Sequence, residues 1–437
     1  MTALHELPTP PGPALLKVLE YGFAPRTFAL RHARRYGRTF RVRSFGTDTI
    51  FTADPEHVRR LFAADSDAFS TFSVVTLRGL LGARSVLVTS GGVHKRQRKL
   101  LSPPLTGARL RAFGATMQEL AERRVGELRR GQHLRALDLG TDFTLDVILR
   151  TVFGVEGAEE DVELRTLLHA LVRDLPRIAI FVPQLQHRRF PPWSRYLAIQ
   201  QRFDQWLARK LSERRARAGA GDDVLSLLLA ARFDDGSAMD DGEIRDQLLT
   251  LLLAGHETTS ITLASCLERI HRHPAVCERL RTELSGSHTP EEVQRLAYLS
   301  AVIDETLRID PVVTDVTRIP KQSFALDQEL TVTPKQLVLV LIEGLHHDPE
   351  LYPEPASFRP ERFLERRPPP HEFAPFGGGV RRCLGAAFSD YETKIMLATL
   401  LRQVDLRLLD AEADRRIRRN ITMGPRRGVR MQVEATR

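Results

Sequence analysis

The chain has 437 residues, of which 42% are hydrophobic and 27% are charged, and its formal net charge is +9 at pH 7. This size and balance predict a globular protein of about two or three domains or one large one, and the positive charge alone admits nucleic acid, membrane surfaces and acidic proteins as partners. No zinc-finger spacing or aromatic-interleaved basic stripe favours nucleic acid, three cysteines make no disulfide framework, and neither a signal peptide nor an apolar run of ~18 residues is present, so we expect a cytoplasmic protein without a membrane anchor.

The predicted elements are mainly helices, with short strands near the two ends of the chain. Residues 1–34 are expected to form a Pro-rich lead-in, and residues 35–437 show no linker, which favours a single large domain. Hydrophobic periodicity and turn residues predict two strands in 38–53, followed by helices over about 56–310 with breaks at 219–223 and 234–242. Strands return in 324–343, and an irregular Pro-rich stretch follows at 349–375. The chain then forms a helix over 385–402 and a hairpin bent at 425–428.

The longest predicted helix covers residues 241–273. Asp240 and Glu243 have the spacing of a capping box, which marks its start, and Pro274 ends it. At 1.5 Å per residue this helix is about 50 Å long, enough to cross a whole domain.

The middle of this helix, AGHETTS at residues 254–260, carries small and hydroxylated side chains. Gly255 costs about 1 kcal/mol there relative to alanine, so a reason for it is expected. Two interpretations stay open: a close helix crossing at Gly255, or a groove in which Glu257 and Thr258 form a proton-relay pair. A zinc-protease motif beginning at His256 is excluded because the residue four positions later is serine.

A candidate ion-pair cluster follows. Glu305 and Arg308 are three residues apart on a helix that is predicted within 299–311 and ends before Pro311, and its apolar neighbours indicate burial. Arg362, within the Pro-flanked segment 358–363, is positioned in the sequence to complete a Glu–Arg–Arg cluster. The alternative is an exposed pair worth about 0.2–0.5 kcal/mol.

One cysteine lies in an unusual setting, the segment FGGGVRRCLG at residues 376–385. Its glycines permit positive φ and close approach of a flat group, and the helix predicted after it places Cys383 near a helix N-terminus. That position, with Arg381 and Arg382, favours a thiolate. A small hydrophobe, a redox-sensor thiol and a soft metal ligand all remain open for a lone cysteine.

Four motifs, in this order and spacing, resemble those of the cytochrome P450 family. They are the helix motif at Ala254, Gly255, Glu257 and Thr258, the ExxR pair at Glu305 and Arg308, the PERF segment at 360–363, and the cysteine loop FxxGxRxCxG at Phe376, Gly379, Arg381, Cys383 and Gly385. The resemblance covers the chain from about residue 35 to its end. It implies the mainly α family fold with small β-sheets, a triangular prism with haem between the long helix and the cysteine loop.

The resemblance further implies haem b, iron protoporphyrin IX, with Cys383 as the axial thiolate. Four cations are expected near its propionates: His94, Arg98, Arg318 and Arg381, of which His94 replaces the tryptophan of the family's WxxxR segment. Ala254, Gly255, Phe376, Gly379 and Gly385 are expected to contact the haem. Glu257 and Thr258 would organise proton delivery, with glutamate in place of the commoner aspartate.

The substrate pocket is expected, by family position, to be mostly apolar, which fits a terpenoid, a fatty acid, a steroid or a macrolide-like molecule. The expected lining residues are Phe72, Val75, Leu77, Leu80, Val86, Leu251, Ala254, Val312, Val313 and Met423.

The function implied is that of a haem-thiolate monooxygenase, which inserts one oxygen atom of O2 into a C–H or C=C bond. No electron-transfer module is visible in the sequence, so a separate ferredoxin or flavodoxin with its reductase is expected, docking near Arg96, Lys99 and Arg382, and the enzyme is expected to be a monomer. A peroxide-using or isomerising haem-thiolate enzyme and a non-enzymatic haem-binding or gas-binding protein are the alternatives.

Overall fold

The computed structural model describes residues 7–44, 47–70, 77–155, 157–217, 221–286, 288–334 and 336–437. In these ranges the fold is mainly α-helical with small β-sheets, as the sequence predicts. The helices are α1 (Ala14–Phe23), α2 (Pro25–Tyr36), α3 (Pro55–Ala63), α4 (Arg78–Leu81), α5 (Gly91–Leu101), α6 (Gly107–Ala112), α7 (Gly114–Gly126), α8 (Ala136–Thr151), α9 (Ala158–Arg173), α10 (Arg177–Phe181), α11 (Pro191–Ala216), α12 (Val224–Ala230), α13 (Asp241–Arg272), α14 (Pro274–Glu283), α15 (Pro290–Arg295), α16 (Ala297–Ile309), α17 (Ile342–His346), α18 (Arg362–Glu365) and α19 (Ala386–Gln403). Across the same ranges, none of the helices has the length and apolar character that a bilayer crossing requires.

The strands form four sheets. They are β1 (Thr39–Ser44), β2 (Thr47–Thr52), β3 (Phe69–Ser70), β4 (His133–Arg135), β5 (Asp315–Pro320), β6 (Phe324–Ala325), β7 (Thr331–Val332), β8 (Leu337–Leu341), β9 (Val404–Leu408), β10 (Arg416–Arg418), β11 (Met423–Pro425) and β12 (Arg430–Thr436). The largest sheet has the order β1-β2-β8-β5-β3, with β2 and β8 parallel and the other pairs antiparallel. The two strands predicted in 38–53 are confirmed as β1 and β2, while residues 45 and 46 between them lie outside the described ranges.

The hairpin predicted around 425–428 is wrong. β11 pairs with β10, whereas β12 pairs with β4 and β9 in a separate three-stranded sheet. Gly428 and Val429 both have positive φ, +80° and +58°, so the chain turns away from β11 rather than folding back on it. The partners of β12 lie far away in the sequence, where local turn signals carry no information.

Residues 14–36 form two helices where a Pro-rich lead-in is expected. Instead of a spacer ahead of the domain, α1 and α2 pack against the largest sheet. Phe28 of α2 is completely buried, with its ring centroid 5.9 Å from that of Phe40 in β1 and 5.0 Å from that of Phe51 in β2. Both helices therefore share the core of the sheet.

The long helix α13 runs through the larger, helical part of the core. The capping box is confirmed, since the Asp240 carboxylate accepts a bond from the Glu243 N–H and the Glu243 carboxylate accepts one from the Asp240 N–H. The helix stops at Arg272, because the residue before a proline disfavours the helical conformation. It packs closely on α8 at Gly140, where a Cβ atom would lie 3.2 Å from Ser260 Cα.

Candidate active site

The cysteine loop is held by its own backbone just before α19. The Cys383 N–H donates to the Phe376 carbonyl at 2.9 Å, and the Arg382 N–H donates to the Gly379 carbonyl at 3.0 Å, closing a short 3-10 turn over Gly379–Arg381. The helix begins at Ala386, so Cys383 lies three residues before it. The expected position near a helix N-terminus is therefore observed.

Two glycines of this loop are explained by α3. Gly379 has a φ of +64°, and a Cβ atom there would lie 1.8 Å from the Phe62 carbonyl oxygen. A Cβ atom at Gly378 would lie 2.0 Å from the Phe62 ring. These glycines thus allow the loop to pack onto α3, whereas a Cβ atom at Gly385 would have nothing within 4 Å.

The low thiol pKa predicted for Cys383 is opposed by its burial in the protein. Its side chain is accessible to solvent, yet the surrounding protein desolvates it, and this burial raises the pKa of the Cys383 thiol above its usual value. A bond from the Gly385 N–H and the charges of Arg382 and Arg98 act in the opposite direction but are the smaller effects. A coordinated metal ion displaces the proton of a thiol, so ligation remains compatible with this environment.

Three arginines and one histidine gather beside the loop: His94 and Arg98 of α5, Arg318 of β5, and Arg381. Burial and the charge of Arg381 lower the pKa of Arg318 to about 10, and burial and the charge of Arg98 lower that of Arg381 to about 10. Burial and the three arginines lower the pKa of His94 to about 4, and its buried Nδ1 atom has no hydrogen-bond partner. Within the described ranges, no carboxylate neutralises these arginines.

Such a cluster suits a dianionic ligand. Buried cations that repel one another are costly unless an anion compensates them, and the two propionates of haem supply two negative charges. Arg98 also interacts electrostatically with Cys383, so the cations and the thiol belong to one site. The residues present therefore fit haem b with a thiolate ligand.

The centre of α13 is open on the side of its small residues. Ala254 is exposed, and a Cβ atom at Gly255 would meet only Ile148, at 3.9 Å. The interpretation of Gly255 as a close helix crossing is therefore wrong, because that crossing lies at Gly140 of the neighbouring helix. The Thr258 hydroxyl donates to the Ala254 carbonyl at 2.7 Å, one turn earlier in the same helix.

Glu257 is held by the turn between β10 and β11, a contact that the sequence did not reveal. Its carboxylate accepts bonds from Arg419 Nε at 3.2 Å, Asn420 Nδ2 at 3.4 Å and Thr422 Oγ1 at 3.2 Å. The expected neighbour Thr258 bonds instead to its own helix. The carboxylate thus connects the middle of α13 to a turn more than 160 residues away.

The Glu305, Arg308 and Arg362 side chains meet in the interior. Glu305 and Arg308 are completely buried and paired at 2.7 Å, and Arg362 Nε lies 3.1 Å from the same carboxylate. Arg308 also donates to the carbonyls of His346 and Pro355 at 2.8 and 2.9 Å. The cluster fastens the irregular segment before the cysteine loop to α16.

The residues expected to line a substrate pocket differ in their exposure to solvent. Phe72 and Val75 lie outside the described residues. Buried members are Leu80, Val86, Val312 and Met423, and partly buried members are Leu77, Leu251 and Val313. The Met423 N–H donates to the Val312 carbonyl at 2.7 Å, and Arg381 donates to the Val86 carbonyl at 3.2 Å, so two of the buried members meet each other and a third adjoins the cation cluster.

Two of the three expected docking cations are already paired. Arg96 lies 3.2 Å from Asp235 and Lys99 lies 2.6 Å from Asp234, so their charges are largely matched. Arg382 is exposed, and in the described part of the chain it has no ion pair.

Comparisons with known proteins give one consistent result. The family model for cytochrome P450 matches residues 7–429. The putative cytochromes P450 138 and 135B1 of Mycobacterium tuberculosis are each 33% identical, over 96% and 100% of this chain and 94% of each relative. A retinoic acid-bound cyanobacterial CYP120A1 has a TM-score of 0.84 at 27% identity, covering 99% of this chain and 100% of that one. The haem domain of cytochrome P450DA has a TM-score of 0.85 at 26% identity, covering 99% and 98%. The expected fold class is therefore confirmed.

Proposed function

This chain belongs to the cytochrome P450 family and is a haem-thiolate monooxygenase that binds haem b through a cysteine. From that premise we propose that Cys383 is the iron ligand and that the substrate is a hydrophobic small molecule. The observation that carries the assignment is the uncompensated cluster of His94, Arg98, Arg318 and Arg381 beside the thiol. It supplies charge for two propionates at the place where the only sulfur of the loop is found.

Haem supplies oxygen activation when bound, and the residues of the chain provide its setting. Arg98, Arg318 and Arg381 would hold the propionates by charge, and the unpartnered Nδ1 of a neutral His94 would offer a hydrogen bond to them. Cys383 would hold the iron as a thiolate, and the Gly385 N–H donates a hydrogen bond to its sulfur. Ala254 and Gly255 keep α13 free of bulk where O2 must fit.

Proton delivery is assigned to Glu257 and Thr258. Glu257 receives protons on the side of the β10–β11 turn, and rotation about its side-chain bonds carries them towards Thr258. The Thr258 hydroxyl exchanges its bond to the Ala254 carbonyl for a bond to water or oxygen. Arg419 and Thr422 act as positioning residues, because they reach the reaction only through Glu257.

The substrate class is apolar. The Val312 and Met423 pair, and Val86 in contact with Arg381, are buried apolar residues that support this class. CYP120A1 is bound to retinoic acid, an isoprenoid acid, and this supports a terpenoid as the substrate of the present chain. A fatty acid, a steroid and a macrolide-like molecule are further members of the proposed substrate class. A titration of the haem-loaded enzyme with an apolar panel is expected to shift the haem spin state, whereas matched polar compounds should leave it unchanged. Spin-state shifts with the polar set alone would contradict the proposal.

Electrons are proposed to arrive from a separate ferredoxin or flavodoxin. Arg382 supports an acidic partner, because it is exposed next to Cys383 and free of an intramolecular ion pair in the described ranges. Arg382→Glu should slow reduction and flatten its salt dependence. Arg209→Glu, on α11 and paired with Glu163, is the matched control. Equal reduction rates in both variants would argue against this docking site, and full turnover with peroxide but none with reductant would favour the peroxide-using alternative.

A further inference from the structure

A stripe of exposed apolar side chains runs along α1. Leu15, Leu16, Leu19 and Phe23 are 56%, 61%, 43% and 79% exposed, and the spacing of 15, 19 and 23 places them on one helix face. Twelve large hydrophobic residues are exposed in the described ranges, so a third of them lie in this one helix. Scattered apolar residues need no explanation on a protein surface, but a contiguous set does.

The opposite face of α1 packs against the rest of the protein. Tyr21 packs with its ring centroid 5.5 Å from those of Phe28 and Phe51, and Arg418 of β10 lies over the same ring. Lys17 donates to the Pro10 carbonyl. The helix is thus fixed by these contacts, and the stripe is left facing outwards.

The surroundings of the stripe are strongly basic. Residues 7–44 contain eight lysines and arginines but one acidic residue, and of these cations Arg26, Arg38 and Arg41 are paired with carboxylates of later segments. Arg34 and Arg35 of α2 are exposed and form no ion pair in the described ranges, while Arg31 is paired only with Glu20. Leu16, Arg31 and Arg35 line one cleft of about 220 Å³, so apolar and basic groups lie side by side.

We propose that the α1–α2 surface binds the interface of an anionic lipid bilayer. An amphipathic helix with protruding leucines and a phenylalanine, flanked by cations, matches the apolar and electrostatic requirements of peripheral membrane binding. A symmetric dimer through the same face would bring two strongly basic segments together, which disfavours a second copy as occupant. The side chains of the stripe are exposed by about half or more, so they protrude from the surface. Protruding apolar side chains insert more readily into a deformable lipid phase than into a rigid partner protein with an acidic groove.

The test is co-flotation of the full haem-loaded enzyme with vesicles. Vesicles of phosphatidylcholine alone are compared with vesicles that also contain phosphatidylglycerol, at low and high salt. The expected result is binding only to the anionic vesicles, weakened by salt. Equal binding to both compositions, or no binding to either, would overturn the proposal.

Variants separate the stripe from general charge attraction. The triple substitution Leu15→Ser, Leu19→Ser and Phe23→Ser should reduce partitioning at least about tenfold. Val162→Ser on α9, 64% exposed, is the matched control and should bind as the wild type. Unchanged haem absorbance and far-UV circular dichroism establish that the variants are folded. Undiminished binding of the triple variant, or a wild-type dimer by light scattering that the triple variant lacks, would refute lipid as the occupant.

Discussion

Removing one arginine from the buried cluster is expected to destabilise the fold sharply. Arg362→Leu keeps the apolar part of the side chain but deletes the 3.1 Å pair with Glu305 and the bonds to the Pro353 and Ser357 carbonyls. Breaking a buried ion pair costs about 3–5 kcal/mol. Glu305 retains its pair with Arg308, so we expect the free energy of unfolding to fall by about 3 kcal/mol. Native proteins have a free energy of unfolding of about 5–15 kcal/mol, so this loss is a large part of it.

The matched control lies three residues earlier. Arg359→Leu removes an exposed side chain that pairs with the exposed Glu365, which should cost less than about 1 kcal/mol, while its backbone N–H continues to bond Glu305 at 2.9 Å. Urea unfolding followed by far-UV circular dichroism and haem absorbance compares the two variants. Equal midpoints for Arg362→Leu and Arg359→Leu would refute the argument that burial makes the first pair structural.

Three further predictions concern the loop, the relay and a buried carboxyl. Gly379→Ala should fold poorly and lose haem on gel filtration, because its Cβ would overlap the Phe62 carbonyl, whereas Gly385→Ala, with nothing within 4 Å of its Cβ, should retain the fold. Arg419→Gln should divert more reducing equivalents to peroxide, measured per reductant consumed with a bound substrate, because Glu257 loses one of its three donors; an unchanged ratio relative to the exposed control Arg415→Gln would count against the relay. Burial and the charge of Asp390 raise the pKa of Asp304 to about 7. The folded protein therefore keeps a proton that the unfolded chain releases at about pH 4. The free energy of unfolding consequently falls as the pH rises between these two values. Asp304→Asn should therefore stabilise the protein at pH ~8 but hardly at pH ~4, and an equal effect at both values in urea titrations would show that the carboxyl does not titrate as described.

Local patterns predicted the helices and the motif residues well. The capping box and the proline that bound α13 act within a few residues of each other, so they can be identified from the sequence. The exposed apolar positions of α1 also had helical spacing, but the Pro-rich start obscured that pattern. Features that depend on distant partners were missed.

Three such features shape the site. The contact of Glu257 with Arg419 joins residues 162 positions apart, and no motif marks the turn. Gly379 was attributed to the approach of a flat group, but the carbonyl of Phe62 is the atom that excludes a side chain. The pKa of Cys383 depends on desolvation by the whole fold, which outweighs the helix terminus and the arginines that the sequence displays.

The central claim is that the sulfur of Cys383 ligates the haem iron. The most direct measurement is the absorbance of the reduced, carbon monoxide-treated enzyme, compared between wild type, Cys383→Ala and the buried control Cys266→Ala. Wild type and Cys266→Ala are expected to show the red-shifted Soret band of a thiolate ligand, and Cys383→Ala to lack it. A histidine-type band in the wild type, or a thiolate band that survives in Cys383→Ala, would contradict the account.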